Sequence, residues 1–600
     1  MPSISHNMMS LWRNYHLTER GRYVPRLPSD PDAAVILSQS RYPDGSVRDH
    51  ATINCSDLAG ETGPAMFAAT AAVLQGYVAE VLTRSTDPFA KRPAVDLVPI
   101  GRGWSFSALI GGIDTQIDMT GLSGFALAKR QHMAGTAAYK ASRTAFVLGG
   151  TRLRELLNWA QRRSGQKLSV MTSGTHLGLT IAGAIATASH GSRLGFGGIQ
   201  DMITGLHLVT GPKQSVWIER KSRPVLDDAT IASFTNQPPI RDDDVFADAL
   251  VHLGGMGLVN GVTVELVPDA GYDLDIKLQP IDRGSLAEVA AGRWRKIAGA
   301  LGYSGTPVFY ELTINPFDWD SGPAVHTLYR MSKSASFSPD IPPVSRSFAD
   351  LAGGIITGYA QAVGEPALMA ADPCQVPEPN VFALYIMRLQ ESAAYKHPPR
   401  NARWNQIHPD DITGGYPGAL YNASFAVKRE EIAEIMPLLC AAVAGLTPTF
   451  LFTLRFVSNA SGTLAFTRFP ESCVIEIDGF SRNAPIFGPC YGQAIVEGAR
   501  RMRACLDGSN AAARRFDYSM HWGKLGNLDQ GKVWADFGAP GTPGSLIDRW
   551  RKTRERLLTP DFAGVLWNKA LVDYGLIDQP RLPDEMPPPQ DRPHPPGSEN

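Results

Sequence analysis

Six hundred residues exceed what a single hydrophobic core can organise, so two or more domains are expected. The composition, 44% hydrophobic and 19% charged, is that of a globular enzyme. With 57 Lys and Arg against 58 Asp and Glu, nothing favours nucleic acid or an anionic membrane as the main partner. The first residues, MPSISHNMMSLWRNYHLTERGRY, lack an apolar run behind a basic start, so no secretory signal is read. No stretch approaches the roughly twenty apolar residues of a membrane span, and a cytoplasmic location is expected. The oligomeric state is not legible. Cys55, Cys374, Cys440, Cys473, Cys490 and Cys505 are scattered without a C-x-x-C pair, which predicts free thiols and no metal site. The sequons at Asn54, Asn422 and Asn459 carry no weight without export.

In chain order, residues 1–50 read as a polar N-terminal extension. A helix is predicted from Pro64 to Thr83, where Gly63 and Pro64 precede an alanine-rich body. Strands are predicted at VDLVPI (95–100), IDTQIDM (113–119) and AFVLGG (145–150). The segment TRLRELLNWAQRRSG reads as a helix: Leu153, Leu156, Leu157 and Ala160 recur at helical spacing, Thr151 caps the start and Gly165 ends it. ALVHLGGMGLVNGVTVELVP (249–268) reads as a glycine-rich turn leading into a strand. Beyond Pro268 aromatics and prolines increase, with long irregular stretches near 315–350 and 364–420, and a second domain is expected over 269–490. The segment 491–560 is expected to return to the first domain, and 561–600 to form a helix and a proline-rich tail that cannot pack a core.

The most informative segment is SGTHLGLTIAGAIATASHGS (173–192), crowded with Gly, Ala, Ser and Thr. Small residues allow a ligand close to the backbone, and successive N–H groups can cradle phosphate oxygens; a plain glycine-rich connection is the alternative. A second turn, GRGWS (101–105), follows a strand directly, although a short G-x-G is weak by itself. The third glycine of a dinucleotide fingerprint, a P-loop and a G-x-S-x-G elbow are all absent.

Together GRGWS, GGTRLRELLNWAQRRSG, SGTHLGLTIAGAIATASHGS, GGIQDMITGLHLVTG and LGGMGLVNGVTVELVP resemble, in order and spacing over 95–268, the flavin domain of the vanillyl alcohol oxidase superfamily. HWGK (521–524) resembles the C-terminal motif of its aldonolactone and alditol oxidase branch. The resemblance implies an α+β fold: a two-lobed PCMH-type FAD-binding domain (51–268) with a substrate cap (269–490) on an antiparallel sheet. It implies that Gly101, Arg102, Gly103, Trp104, Ser105, Ser173, Gly174, Thr175, Gly183, Thr187, His190 and Gly191 surround FAD, with Gly261 and Val262 on the adenine side. Many members carry a flavin-linked histidine where this chain has Trp104, so non-covalent FAD is expected. In the aldonolactone branch the residue at Gly174 influences oxygen access, and a glycine there favours an oxidase.

The expected reaction is oxidation of a small-molecule alcohol (a polyol, sugar or aldonolactone) with dioxygen as acceptor. A quinone- or cytochrome-linked dehydrogenase, an oxidase of an aromatic or sterol-like alcohol, and a flavin-binding scaffold without turnover are the alternatives. Arg455 matches an arginine at the reactive face of the flavin, but the glutamate usual two residues earlier is Thr453 here. Glu476 and Asp478, two apart in CVIEID, share one face of a strand, either towards the flavin or towards solvent. If the face is inward, one pairs with Arg455 and the other serves as base. His521 and Lys524 are implied at the pyrimidine end of the flavin. Phe309, Tyr310, Phe317 and Trp319 are read as core rather than as pocket wall.

Overall fold

The computed structural model describes residues 3–8, 49–55, 58, 60–86, 96–111, 115–162, 167–174, 177–320, 322–333, 397–408, 420–481 and 488–578. The first lobe is built on two sheets. In one, Leu97–Ile100 and Asp49–Asn54 run parallel to Thr115–Asp118 on either side of it, and Ser3–Met8 joins the edge, so this part of the expected N-terminal extension belongs to the lobe. The other is six-stranded, in the order Ile240–Arg241, Gln214–Glu219, Ile203–Gly211, Leu258–Glu265, Thr144–Leu148 and Phe125–Leu127.

The 24-residue helix Gly63–Thr86 packs between these sheets. By length and composition it could cross a membrane, against the expectation that no stretch is apolar enough. Here Phe67, Leu74, Val78 and Val81 fall on one buried stripe, as in a core helix. Its Phe67 is stacked on His207 and edge-on to Phe146. The helix Leu153–Arg162 forms as predicted, although the Thr151 hydroxyl turns away to Gly124 and Glu155 takes the Arg152 N–H instead. Gly165 lies outside the described residues.

The second lobe is a seven-stranded antiparallel sheet. Its order is Tyr272–Pro280, Pro323–Met331, Phe309–Ile314, Phe450–Ser458, Glu471–Phe480, Leu420–Lys428 and Tyr518–Met520. Alternation along the strands divides its faces. Tyr310, Leu312, Phe452, Leu454, Ile475 and Phe425 point to a core formed with the helices Arg283–Ala290, Trp294–Ala300, Ile432–Val443 and Gly488–Leu506. The opposite face carries Glu311, Thr313, Thr453, Arg455, Glu476 and Asp478. Phe309 and Tyr310 are buried in strand positions while Phe317 and Trp319 pack against the helix-side core, so all four serve as core.

The C-terminal return starts later than expected. Gly488–Leu506 packs on the second sheet and Tyr518–Met520 extends it; only from Gln530 onwards do the helices, with Trp550 and Leu571 at their centre, cover the first lobe. Residues 192–197 stitch the lobes together: the Leu194 N–H donates to Val308 O and the Ser458 N–H to Phe196 O, both at 2.9 Å. Of the cysteines, Cys55, Cys440, Cys473 and Cys505 are described as buried free thiols.

Candidate active site

Between the lobes lies a cleft of about 1680 Å³, counting its open mouth. Both glycine turns line it. Gly101, at the end of the strand Leu97–Ile100, is pressed against Thr180: a β-carbon there would sit 2.4 Å from the Thr180 Oγ1. Thr180 in turn caps the short helix Ile181–Ala186 by accepting the Gly183 N–H at 3.3 Å. Gly103 takes a φ of 69°, open to glycine and unfavourable to other residues. The two small-residue turns therefore touch.

Gly101, Arg102, Gly103, Trp104, Ser105, Gly174, Gly183, Thr187 and His190 line the cleft. Four of the expected cofactor residues do not. Gly261 faces Phe67, 2.4 Å from a β-carbon built on it, and Val262 is fully buried in the strand Leu258–Glu265. Adjacent in the strand, they point to opposite faces of a sheet packed on both sides, and the cleft is lined earlier on that segment by Val259, Gly257, Gly254 and His252. Ser173 lies behind the wall, its Oγ accepting the Trp404 indole N–H at 2.9 Å. Gly191 also packs behind it, against the Ser173 carbonyl. Thr175 is outside the described residues.

The far wall is the polar face of the second sheet, with Arg455 at its centre. Its Nε donates to Glu311 Oε2 at 2.7 Å and its Nη1 to Glu476 Oε2 at 2.5 Å, leaving Nη2 buried without a protein partner. Glu311 stands directly opposite Arg455 in the antiparallel register. It supplies the carboxylate that Thr453 lacks, from a strand 144 positions earlier. Burial works to raise the Glu476 carboxyl, but Arg455 and Lys524 outweigh it and hold it below the usual range.

Asp478 lies two positions along the strand from Glu476, on the same cleft wall. One oxygen accepts from the Asn422 amide and the other, Oδ2, is buried with no partner. Burial, reinforced by the charge of Glu476, pushes its carboxyl up to about 7.

The HWGK loop closes the cleft. His521 Nδ1 accepts the Gly523 N–H at 2.9 Å, which leaves the proton of the neutral ring on Nε2. Burial, with Lys524 and His190 nearby, drives its basicity far down. His190 donates from Nδ1 to Gly191 O at 2.9 Å and is lowered by burial to about 4. Lys524 places its ammonium 5.2 Å from the ring centre of Phe106, the residue after GRGWS, and the Phe106 N–H donates to Gly523 O at 2.8 Å. All five residues singled out for chemistry, Arg455, Glu476, Asp478, His521 and Lys524, therefore line one cleft.

No family model matches the chain. Among solved structures, the cholesterol oxidase from Brevibacterium sterolicum superimposes with a TM-score of 0.58 at 14% identity, covering 96% of this chain and 97% of that one. The chain has the cholesterol oxidase fold. A histidine-to-alanine variant of the same oxidase gives a TM-score of 0.60 at 14% identity, with 96% and 97% covered. A solvent-stable cholesterol oxidase gives 0.56 at 12% identity, with 94% and 97% covered. The α+β, two-lobed architecture expected from the flavin-domain resemblance is thus present across nearly the whole chain, while the aldonolactone and alditol branch is not singled out.

Proposed function

We propose that the cleft holds FAD non-covalently and that the protein oxidises the CH–OH group of a small-molecule alcohol. One observation carries this reading: an orphaned donor, Arg455 Nη2, and an orphaned acceptor, Asp478 Oδ2, lie on the cleft wall that faces two touching glycine turns. A hydroxyl group needs that pair of partners, and buried polar groups without partners are costly unless a ligand completes them.

The residues fit the cofactor. Gly101, Gly103, Gly174 and Gly183 run small-residue backbone along the cleft lining where a diphosphate would lie. Trp104, on the same lining, offers no nucleophile for a covalent link. Bound there, a flavin supplies the two-electron acceptor that alcohol oxidation requires.

The chain does the rest. Asp478 Oδ2 takes the hydroxyl proton, and a carboxyl near 7 accepts and releases protons at neutral pH. Arg455 Nη2 donates to the substrate oxygen as negative charge gathers on it. Glu311 and Glu476 fix the guanidinium so that this third nitrogen points where the other two cannot. Lys524 puts positive charge at the same end of the cleft, where a reduced ring would gain negative charge. The wall carries Asn422, Asp478, Glu476 and Arg455, a surface suited to a hydroxylated substrate such as a polyol or sugar, with dioxygen as the final acceptor.

The visible spectrum of the purified protein, before and after acid precipitation, tests the cofactor. A yellow protein that releases its flavin to the supernatant is expected; a colourless chain that takes up no added FAD overturns the reading. Anaerobic bleaching by polyols compared with sterols and aromatic alcohols then identifies the substrate class. Peroxide formation in air distinguishes dioxygen from a quinone or cytochrome.

A further inference from the structure

We propose that Asn422 is the positioning residue for Asp478: it grips one carboxylate oxygen and so presents the other to the cleft. The name of base for Asp478 rests on the function proposed above; the grip itself does not.

Asn422 and Asp478 are directly opposed in the antiparallel register of Leu420–Lys428 with Glu471–Phe480. The Asn422 side-chain N–H donates to Asp478 Oδ1, and Asn422 is 8% exposed. An amide could turn its oxygen to the carboxylate instead, but two acceptors would then face each other across the strands. The Ser424 Oγ lies 3.3 Å from Asn422 Oδ1, within reach to donate to the amide oxygen that faces away from Asp478. The same hydroxyl lies 3.3 Å from Glu476 Oε1, and its single proton serves one of these two acceptors at a time.

The other groups facing Asp478 are Glu476 on its own strand, Arg455 on the next and Lys524 on the HWGK loop. Glu476 repels the carboxylate, and Arg455 is committed to Glu311 and Glu476. Asn422 is the neighbour that donates a hydrogen bond to it. The triplet Asn422, Ala423 and Ser424 also spells a glycosylation sequon; as a buried strand with its amide engaged, it reads as a carboxylate holder.

The test is infrared titration of the protonated carboxylic-acid carbonyl band, with Asp478→Asn identifying which band belongs to Asp478. Because the band titrates with or without bound flavin, failure of the cofactor reading would show in the spectrum of the protein and not here. Loss of the amide donor destabilises the carboxylate, so Asn422→Ala is expected to move the midpoint upward by about one pH unit. A midpoint in Asn422→Ala equal to that of the unmodified protein overturns the proposal, as does the absence of any band lost in Asp478→Asn. Should Asn422→Ala fail to fold, Asn422→Leu, which keeps a side chain of similar size without the donor, decides: an upward shift supports the grip, and an unmoved midpoint refutes it.

Discussion

Asp478 sets two effects against each other. Its carboxyl sits at about 7 in the fold against an ordinary 3.8, so between those values the folded chain binds more protons than the unfolded one. Stability contributed by this group is therefore full below 3.8 and is lost as pH rises towards 7. At pH 8 Asp478→Asn should melt higher than the unmodified protein by roughly 1–3 °C, and at pH 4 the two should coincide in differential scanning calorimetry. The chemistry runs the other way, because only the deprotonated form can accept a proton. Anaerobic reduction of the proposed flavin by an alcohol should climb through pH 7 and level off above it. Asp478→Asn should slow it by about 10²–10⁴-fold, as stopped-flow bleaching would report. Arg455 is different, since truncating it strands two buried carboxylates. Arg455→Ala is expected to destabilise the protein by about 3–5 kcal/mol and to slow flavin reduction while the yellow colour remains, because the glycine turns are untouched. Unchanged reduction kinetics would remove Arg455 from the site.

At the scale of elements, the cleft depends on how closely two turns approach. Gly101→Ala would drive a methyl into the Thr180 hydroxyl, which is held in place by its role as helix cap. The turns must separate, and FAD affinity in equilibrium dialysis should fall at least about tenfold, the equivalent of 1.4 kcal/mol. Removing the obstruction in Gly101→Ala with Thr180→Ala should recover part of the loss, whereas two independent sites would give additive losses. These turns were legible in the sequence because small residues crowd there for a reason that acts locally. The carboxylate spacing in CVIEID was legible because strand alternation is local too. Glu311 was not, because its pairing with Arg455 is created by strand order: the strands Phe309–Ile314 and Phe450–Ser458 are neighbours in space although far apart in the chain. Asn422 appeared in the sequence only as a sequon, and its opposition to Asp478 required the register. Gly261 and Val262 lie inside the lobe because both faces of their sheet are packed, which a glycine-rich approach to a strand does not reveal.

At the scale of the molecule, the first lobe contributes backbone and the second contributes charge, and the cleft is complete only when both are in place. A ligand spanning it should therefore couple the lobes. Binding to the folded state alone stabilises it by an amount that grows with concentration, about 4.1 kcal/mol when the free ligand is a thousandfold above its dissociation constant. Protein stripped of flavin should melt at a lower temperature and recover as FAD is added back. Hydrogen exchange locates the effect. A bridging cofactor should slow exchange both around 97–111 in the first lobe and along 450–480 in the second. The second segment is the informative one, because its amides lie on the wall that carries Arg455, Glu476 and Asp478 and not on the glycine turns. If FAD protected only the first lobe, it would occupy one side of the cleft without reaching that wall, and the sheet residues would lose their part in the chemistry.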